Sequence, residues 1–280
     1  MCSMSGYLGP GSVTWRVHSS PAVALVGGLR ALLVQSLHPL AMAGVAQHSD
    51  YRTRPLKRLQ RTAEYVATTT FGTREQADAA AARVRRVHKK VRGIDPVTGK
   101  AYSADDPETA LWVHCVEVHS FLAAHRVYGR RLSAADEDAY FAENVPIAGL
   151  LGVPPEIVPA SVAEMRAYFA SVRPMLCVSE AARDAIEFVA APPFTLELAA
   201  YWLPLKVLSR AAIAIVPTDL ARLAGLDASA AGNAVSYAQV HALSRAMLLP
   251  GASILLSRAL GERTRDMAVS GRAAAIATAA

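Results

Sequence analysis

The 280-residue sequence contains only three cysteines, and they are far apart. Cys2, Cys115 and Cys177 form no C-x-x-C pair, which argues against a disulfide framework and against a zinc-thiolate site. The first twenty residues also lack a basic start followed by an apolar core, so no secretory signal is predicted. Together these absences predict a cytoplasmic protein that folds in a reducing compartment.

Long uncharged apolar runs are missing as well. A membrane-spanning helix needs about 18 consecutive apolar residues with few or no charges. The sequence therefore predicts buried core helices and no membrane span. The apolar stretches are interrupted by Arg30 within 22–37, by Pro204 and Lys206 within 197–216, and by His241 and Arg245 within 234–256.

Strand signals are nearly absent, because the sequence shows no sustained alternation of polar and apolar residues and no Asn-Gly or Asp-Gly turn. Apolar residues make up 52% of the chain and aromatic residues only 6%, with many alanines and leucines that favour helix. Residues that start and stop helices recur instead, which predicts one all-α domain over residues 1–280 with a loosely ordered tail over 267–280. The predicted boundaries are Pro55 to Gly72, Thr73 with Gln76 to Gly93, Asp106-Pro107 to Gly129, and starts at Ser133 with Asp136 and at Ser161 with Glu164.

Motifs of several common enzyme classes are also missing. The sequence has no H-E-x-x-H zinc motif, no E-x-x-H spacing of the di-iron bundles, no G-x-S-x-G elbow, no Walker A loop and no strand-linked G-x-G-x-x-G. Metalloprotease, di-iron, hydrolase, nucleotidase and dinucleotide-binding functions therefore lack support. The histidines of the 108–128 helix, His114, His119 and His125, form no pair spaced for a shared metal, and neither their roles nor that of His38 can be assigned.

The predicted helix over 74–92 carries His88 on a stripe of alanine and valine residues. Arg85 precedes His88 by three positions and Arg92 follows it by four, so a single helix would place all three on roughly one face. A buried imidazole beside a small apolar slot, with guanidinium groups at either end, suits a haem. The imidazole would bind the iron and the arginines would meet the anionic propionates.

Other interpretations of this helix stay open. A lone histidine on an apolar stripe is often a core residue that binds nothing, and the run RVRRVHKKVR is often a solvated face. The formal charge of +6 and the pI near 9.4 suit an anionic ligand or a nucleic acid equally well. A nucleic-acid-binding module would present a basic stripe and lose affinity steeply as salt rises.

The preceding helix places Arg58, Arg61, Thr62 and Tyr65 on one face. Two guanidinium groups and a hydroxyl that converge on a cavity would bind an anionic group or orient oxygen on a metal. The alternative is an exposed basic face with Tyr65 half-buried.

Four segments in this order resemble the rubber oxygenase catalytic-domain family: HPLAMAGVAQHSDY, RPLKRLQRTAEYVATTTFGT, RVRRVHKKVRG and YSADDPETALWVH. That family includes the secreted latex clearing proteins and the intracellular MpaB-type oxygenases. The resemblance is strongest over residues 35–159. It implies a b-type haem in a globin-like helical core, with His88 as the iron ligand in an R-x-x-H-x-x-x-R segment formed with Arg85 and Arg92. It also implies a distal R-x-x-K-T pattern, on which Arg58, Arg61 and Thr62 fall as catalytic residues.

Two departures from the family pattern limit what the resemblance implies. Arg61 stands where the latex clearing proteins have lysine, and a guanidinium stays protonated and does not coordinate iron. The rubber-cleaving enzymes also use a distal glutamate before the arginine segment, whereas this chain has no acidic residue before Asp50. We therefore expect a haem-b-dependent oxygenase or oxidase that uses O2 and a small organic substrate, not polyisoprene, with no nucleic-acid partner. The alternative is a non-catalytic haem carrier or gas sensor. The substrate, the electron donor and the oligomeric state stay open.

Overall fold

The computed structural model describes residues 6–196, 198–226, 230–247, 261 and 266, so the predicted tail over 267–280 lies outside the described residues. Within that part of the chain the fold is predominantly α-helical, as predicted. The helices are α1 Val13–His18, α2 Pro21–Gln35, α3 Pro39–His48, α4 Pro55–Phe71, α5 Arg74–His88, α6 Pro107–Tyr128, α7 Ala134–Gly149, α8 Val162–Val172, α9 Glu180–Ala190, α10 Trp202–Ala214, α11 Thr218–Leu223 and α12 Ala230–Ala246, with 3-10 turns at Pro155–Ile157 and Arg173–Met175.

Local capping bonds explain most of the helix starts. The Asp106 carboxylate accepts a hydrogen bond from the backbone N–H of Thr109 at 2.9 Å and starts α6. Capping boxes start α5 at Thr73 and α7 at Ser133, and the Ser161 hydroxyl caps α8. The predicted ends of α4 at Gly72 and of α6 at Gly129 are also confirmed.

The prediction of a continuous helix over 74–92 is wrong at its carboxyl end. Helix α5 stops at His88, and Arg92–Ile94 forms strand β1, which pairs antiparallel with strand β2 at Ala101–Ser103. Gly93 lies so close to the Tyr102 ring that a Cβ there would be 2.8 Å from the Tyr102 hydroxyl oxygen. The Asp95 carboxylate accepts hydrogen bonds within the connecting turn, which closes the hairpin.

Helix α6 lies at the centre of the molecule and packs along α2. The two helices approach closely at Gly27, where a Cβ would be 2.9 Å from the Phe121 Cα. The charged residue that interrupts α2, Arg30, is buried in this contact and donates hydrogen bonds to the Ser120 hydroxyl at 2.6 Å and to the Ile215 carbonyl at 3.0 Å. One apolar cluster joins α2 and α6 to α9, α10 and α12, and a second joins α6 to α1, α7 and α8.

In the part of the chain that the structure describes, no single helix is long and apolar enough to cross a membrane. Helices α2 and α3 are long and apolar enough only when they are taken together, and the chain bends by 106° between them.

Candidate functional site

Helices α4 and α5 form an antiparallel pair that brings Arg58 and His88 together. Only Gly72 and Thr73 separate the helices, so the first turn of α4 lies beside the last turn of α5. Burial lowers the pKa of His88, the Arg58 charge lowers it further, and Asp105 opposes both effects. His88 is half-buried and neutral at physiological pH, which is the form in which an imidazole binds a metal.

The Arg58 side chain is half-buried beside His88. Burial lowers the pKa of Arg58, the neighbouring Arg61 lowers it further, and Asp50 has the opposite effect. A guanidinium remains protonated despite such a shift. This end of the helix pair therefore combines a neutral imidazole with a partly desolvated cation.

Arg61 and Thr62 lie next to Arg58 on α4, but the side chains of both are exposed. The Arg61 side chain is 53% exposed, and its Nη1 lies 3.6 Å from Oδ1 of Asp50. The Thr62 hydroxyl is exposed and donates to the Arg58 carbonyl of its own helix at 3.2 Å. Of the three residues predicted to share a site, Arg58 alone is near enough to affect His88 electrostatically.

The two arginines that flank His88 in the sequence are both exposed. Arg85 lies on α5, but Arg92 belongs to strand β1, and its side chain bonds back to the Lys89 carbonyl at 3.0 Å. The predicted apolar stripe is buried at Ala77, Ala80 and Ala81 but ends before Val87, which is 60% exposed. The basic run around His88 is thus a solvated surface with a half-buried histidine at its centre.

A second group of polar side chains surrounds a small cavity between α1, α4, α6 and α7. Its polar centre consists of Glu117 and His114 from α6 and His18 from α1. Sequence reasoning did not single out Glu117, although a lone acidic residue within the apolar run LWVHCVEVHSFL is a signal that could have identified it. The cavity is lined by Leu8, His18, Val66, Thr69, Thr70, His114, Glu117, Val118, Phe121, Asn144 and Ile147.

Burial sets the charge of each group around this cavity. It raises the pKa of Glu117 to about 7 and lowers the pKa of His114 to about 4. Burial, assisted by the charge of His125, lowers the pKa of His18 to about 3. His18 is held between the hydroxyls of Thr70 and Tyr140, each 3.2 Å from one ring nitrogen. At neutral pH both cavity histidines are therefore neutral, and Glu117 is close to half-protonated.

Tyr65 lies on α4 one turn beyond Thr62, between the Arg58 end of the helix and the cavity. Its hydroxyl is buried, and no residue in the described part of the chain hydrogen-bonds to it. Burial raises the pKa of Tyr65, and the charge of Glu117 raises it further. The tyrosine and the carboxyl are thus electrostatic neighbours.

The other histidines that sequence reasoning left unassigned have structural contacts. His38 Nδ1 accepts from the Ala41 backbone N–H and caps α3, and its ring packs on Trp112. The His119 ring packs edge-on against Phe169, and His125 packs against Gly129 at the end of α6. Among the described residues, no group of three or more His, Cys, Asp or Glu side chains is placed to hold a metal ion.

This helical chain has the sequence of an oxygenase catalytic domain. The family model described as "ER-bound oxygenase mpaB/B'/Rubber oxygenase, catalytic domain" matches residues 15–246, and the chain belongs to this family. The match extends well beyond residues 35–159, the segment in which the sequence resemblance to the family is strongest. No curated protein and no solved structure matches the chain.

Proposed function

We propose that this protein is a haem-b-dependent oxygenase or oxidase in which His88 binds the iron. The observation that supports this proposal best is the neutral, half-buried imidazole of His88 beside the Arg58 guanidinium at the open end of the α4–α5 pair. The donor set fits a porphyrin, because haem iron requires one neutral imidazole from the protein and no cluster of ligands. The surrounding arginines suit the anionic propionates.

When bound, haem supplies the iron chemistry that activates O2. The residues of this chain provide binding and electrostatics. His88 holds the group from the end of α5, and Arg58 keeps a positive charge and hydrogen-bond donors close to the reacting centre. Arg61 and Thr62 lie farther out, where they would contact a propionate or the substrate. Arg85 and Arg92, on the outer surface, would do the same.

The substrate proposed here is a small organic molecule and not polyisoprene. Support comes from the absence of any acidic residue before Asp50 and from Arg61 at the position of the family's distal lysine. No nucleic-acid partner is proposed, since an exposed basic run is also typical of a solvated helix face that binds no partner.

A non-catalytic haem carrier or gas sensor is the second candidate. It is favoured by the positions of two residues that the catalytic role would use. Arg61 faces Asp50, and the Thr62 hydroxyl bonds to its own helix. Turnover of an organic substrate by the haem-loaded protein separates the two functions, because a carrier would load haem fully and consume no substrate.

The ligand assignment is tested by replacing His88 with alanine. We expect His88→Ala to lose the Soret band after reconstitution with hemin while its far-ultraviolet circular dichroism stays that of the wild type. His48→Ala is the matched control, since His48 is exposed at the end of α3, and it should keep full haem loading. Full loading of His88→Ala, combined with loss of haem in His114→Ala or His119→Ala, would show that the assignment is wrong.

A further inference from the structure

The end of α5 and the hairpin that follows it carry exposed positive charge and no exposed acid. Asp95 is the one acidic residue within 79–104, and it is buried, with its carboxylate hydrogen-bonded inside the hairpin turn. Among the described residues, Arg83 alone of the cations here forms an ion pair, in which its Nη2 lies 3.9 Å from Oε1 of Glu64. All the cations of this segment are exposed: Arg83, Arg85, Arg86, Lys89, Lys90, Arg92 and Lys100.

Three exposed aliphatic side chains lie among these cations. Val87 and Ile94 are each 60% exposed, and Val97 is 50% exposed. Cations at the carboxyl end of a helix interact favourably with the helix dipole, which explains Lys89 and Lys90 without any partner. The dipole does not explain aliphatic side chains that stay in water beside them. Exposed apolar residues that are grouped, and not scattered singly, mark an interaction surface.

The hairpin is held rigidly, so this surface is formed in advance. Side chains alternate along β1, and Arg92 and Ile94 are its two outward residues. On the inner side, the Tyr102 hydroxyl donates to Oε1 of Gln47 on α3 at 2.7 Å. The Arg92 Nε donates to the Lys89 carbonyl at 3.0 Å, which joins the outer side of the hairpin to the end of α5. The charges and the aliphatic side chains therefore belong to one continuous surface.

We propose that the exposed side chains of residues 83–100, the basic hairpin surface, dock on a membrane whose lipids carry negative charge. The cations would lie at the phosphate and carboxylate groups of the lipid headgroups, and the aliphatic side chains would reach the boundary with the acyl chains. The first turn of α4, beside the last turn of α5, adds the exposed Arg54 and Lys57 to the same side. This docking goes beyond the proposed function and does not depend on haem.

The aliphatic side chains favour a lipid surface over other anionic partners. A nucleic acid would use the cations of the basic hairpin surface and leave Val87, Ile94 and Val97 in water. The segment 83–100 also contains no phenylalanine, tyrosine or tryptophan, the side chains that stack on bases and that are enriched in protein interfaces. A lipid surface uses both the charges and the aliphatic groups, because its binding strength combines electrostatic attraction with burial of apolar area.

Sedimentation with lipid vesicles tests the docking. The full-length, haem-free protein is used, so that the result does not depend on which residue binds iron. It should sediment with vesicles of phosphatidylcholine and phosphatidylserine mixed at about two to one, and not with vesicles of phosphatidylcholine alone. The bound fraction should fall as the salt concentration rises, since salt screens exposed charges.

A pair of charge reversals locates the docking surface. Lys89→Glu/Lys90→Glu should weaken binding to the mixed vesicles by at least about 30-fold, because two cations at the membrane are lost and two anions replace them. Arg130→Glu/Arg131→Glu is the matched control. It changes the net charge equally, at two exposed positions beyond the far end of α6, a helix of 22 residues that is about 30 Å long. This control should weaken binding no more than about threefold.

A second pair of changes tests the aliphatic contact without any change of charge. Val87→Gln/Ile94→Thr should weaken binding by about tenfold, because two apolar side chains no longer leave water on docking. Both positions are exposed, so the variant should keep the circular dichroism of the wild type. Ile157→Thr is the control, since Ile157 is 42% exposed in the Pro155–Ile157 turn, and it should bind as the wild type does.

Several results would overturn the proposal. They are absent sedimentation of the wild type with the mixed vesicles, full binding by Lys89→Glu/Lys90→Glu, and equal losses in the two charge reversals. Unchanged binding by Val87→Gln/Ile94→Thr would also overturn it, because the surface would then attract anions without contacting the acyl boundary. Salt-sensitive binding of double-stranded DNA or polyglutamate, with no binding of vesicles, would assign the basic hairpin surface to a nucleic acid or an acidic protein instead.

Discussion

Burial determines the charge of the residues that surround α4 and α6. Among the described residues, most of these side chains have no close partner of opposite charge, so desolvation favours their neutral forms. The carboxyl of Glu117 is held partly protonated, whereas His88 and His114 are held neutral. Arg58 is different, because its guanidinium stays charged even when it is partly desolvated. At the end of the α4–α5 pair, the Arg58 guanidinium, which stays charged, therefore lies beside the neutral imidazole of His88.

The pKa of His88 gives a test of this arrangement at the scale of one residue. Arg58→Ala should raise that pKa, because it removes the cation that lowers it and also uncovers part of the ring. The measurement is an NMR titration of the His88 ring in the haem-free protein. Arg61→Ala is the control, since Arg61 is exposed toward Asp50, and it should move the midpoint much less. Equal shifts in both variants would show that Arg58 does not face His88.

Helix α1 shows how one element depends on another. It runs only from Val13 to His18, and a helix this short is unstable by itself. The Glu143 carboxylate of α7 accepts hydrogen bonds from the backbone N–H groups of Val13 at 3.0 Å and Thr14 at 2.8 Å. An anion at a helix N-terminus also interacts favourably with the helix dipole. Because α1 contributes His18 to the buried cavity, Glu143 helps to position a wall of that cavity.

Removal of this cap should destabilise the protein measurably. Glu143→Ala should lower the free energy of unfolding by about 2–3 kcal/mol, because two backbone donors lose their acceptor. Glu143→Gln should cost less, since an amide oxygen can still accept. Urea unfolding followed by circular dichroism measures both variants. Glu156→Ala, at an exposed position in the Pro155–Ile157 turn, should change the free energy little. A loss in Glu156→Ala as large as that in Glu143→Ala would contradict this role for the cap.

At the scale of the whole molecule, the described part of the interior contains several titratable groups that no charge of opposite sign accompanies. His18, His114 and His119 have pKa values lowered to between about 3 and about 4, below the ordinary value of 6.5. The unfolded chain therefore binds more protons than the fold below pH 6.5, and stability falls as the pH is lowered toward these values. The contribution of Glu117 to the pH dependence has the opposite sign. Because its pKa is raised, the folded protein binds a proton there between pH about 7 and about 4.5, where the unfolded chain does not. The three histidines outweigh the one carboxyl.

The protein should therefore lose stability in mild acid. Each buried histidine contributes about 1.4 kcal/mol per pH unit below 6.5, so the melting temperature should fall steeply between pH about 6 and about 4. Thermal melts at a series of pH values measure the slope. His114→Gln should reduce it, whereas the exposed His48→Gln should not. A melting temperature that stays constant over this range would contradict the neutral, buried state of these imidazoles.

Membership in the oxygenase family and the helical architecture could both be predicted from the sequence, because the signals for them are local. Capping residues such as Thr73 and Asp106 bond to backbone groups three positions away, so the sequence specifies these helix starts without knowledge of the rest of the fold. The short hairpin at 92–103 could not be predicted in the same way. Its strands have three residues each, and their pairing depends on the packing of Gly93 against Tyr102.

The sequence alone determined the helices, the position of His88 within a basic run and the absence of an early carboxylate. Only the tertiary structure decided which polar residues lie inside. Helical spacing places Arg58 and Arg61 on nearly one face, yet packing of α4 on α5 turns Arg58 toward His88 and leaves Arg61 exposed toward Asp50. The Glu117 carboxyl is desolvated because α1, α4 and α7 close around α6. Desolvation of that kind arises from neighbours distant in sequence, and periodicity along one helix does not encode it.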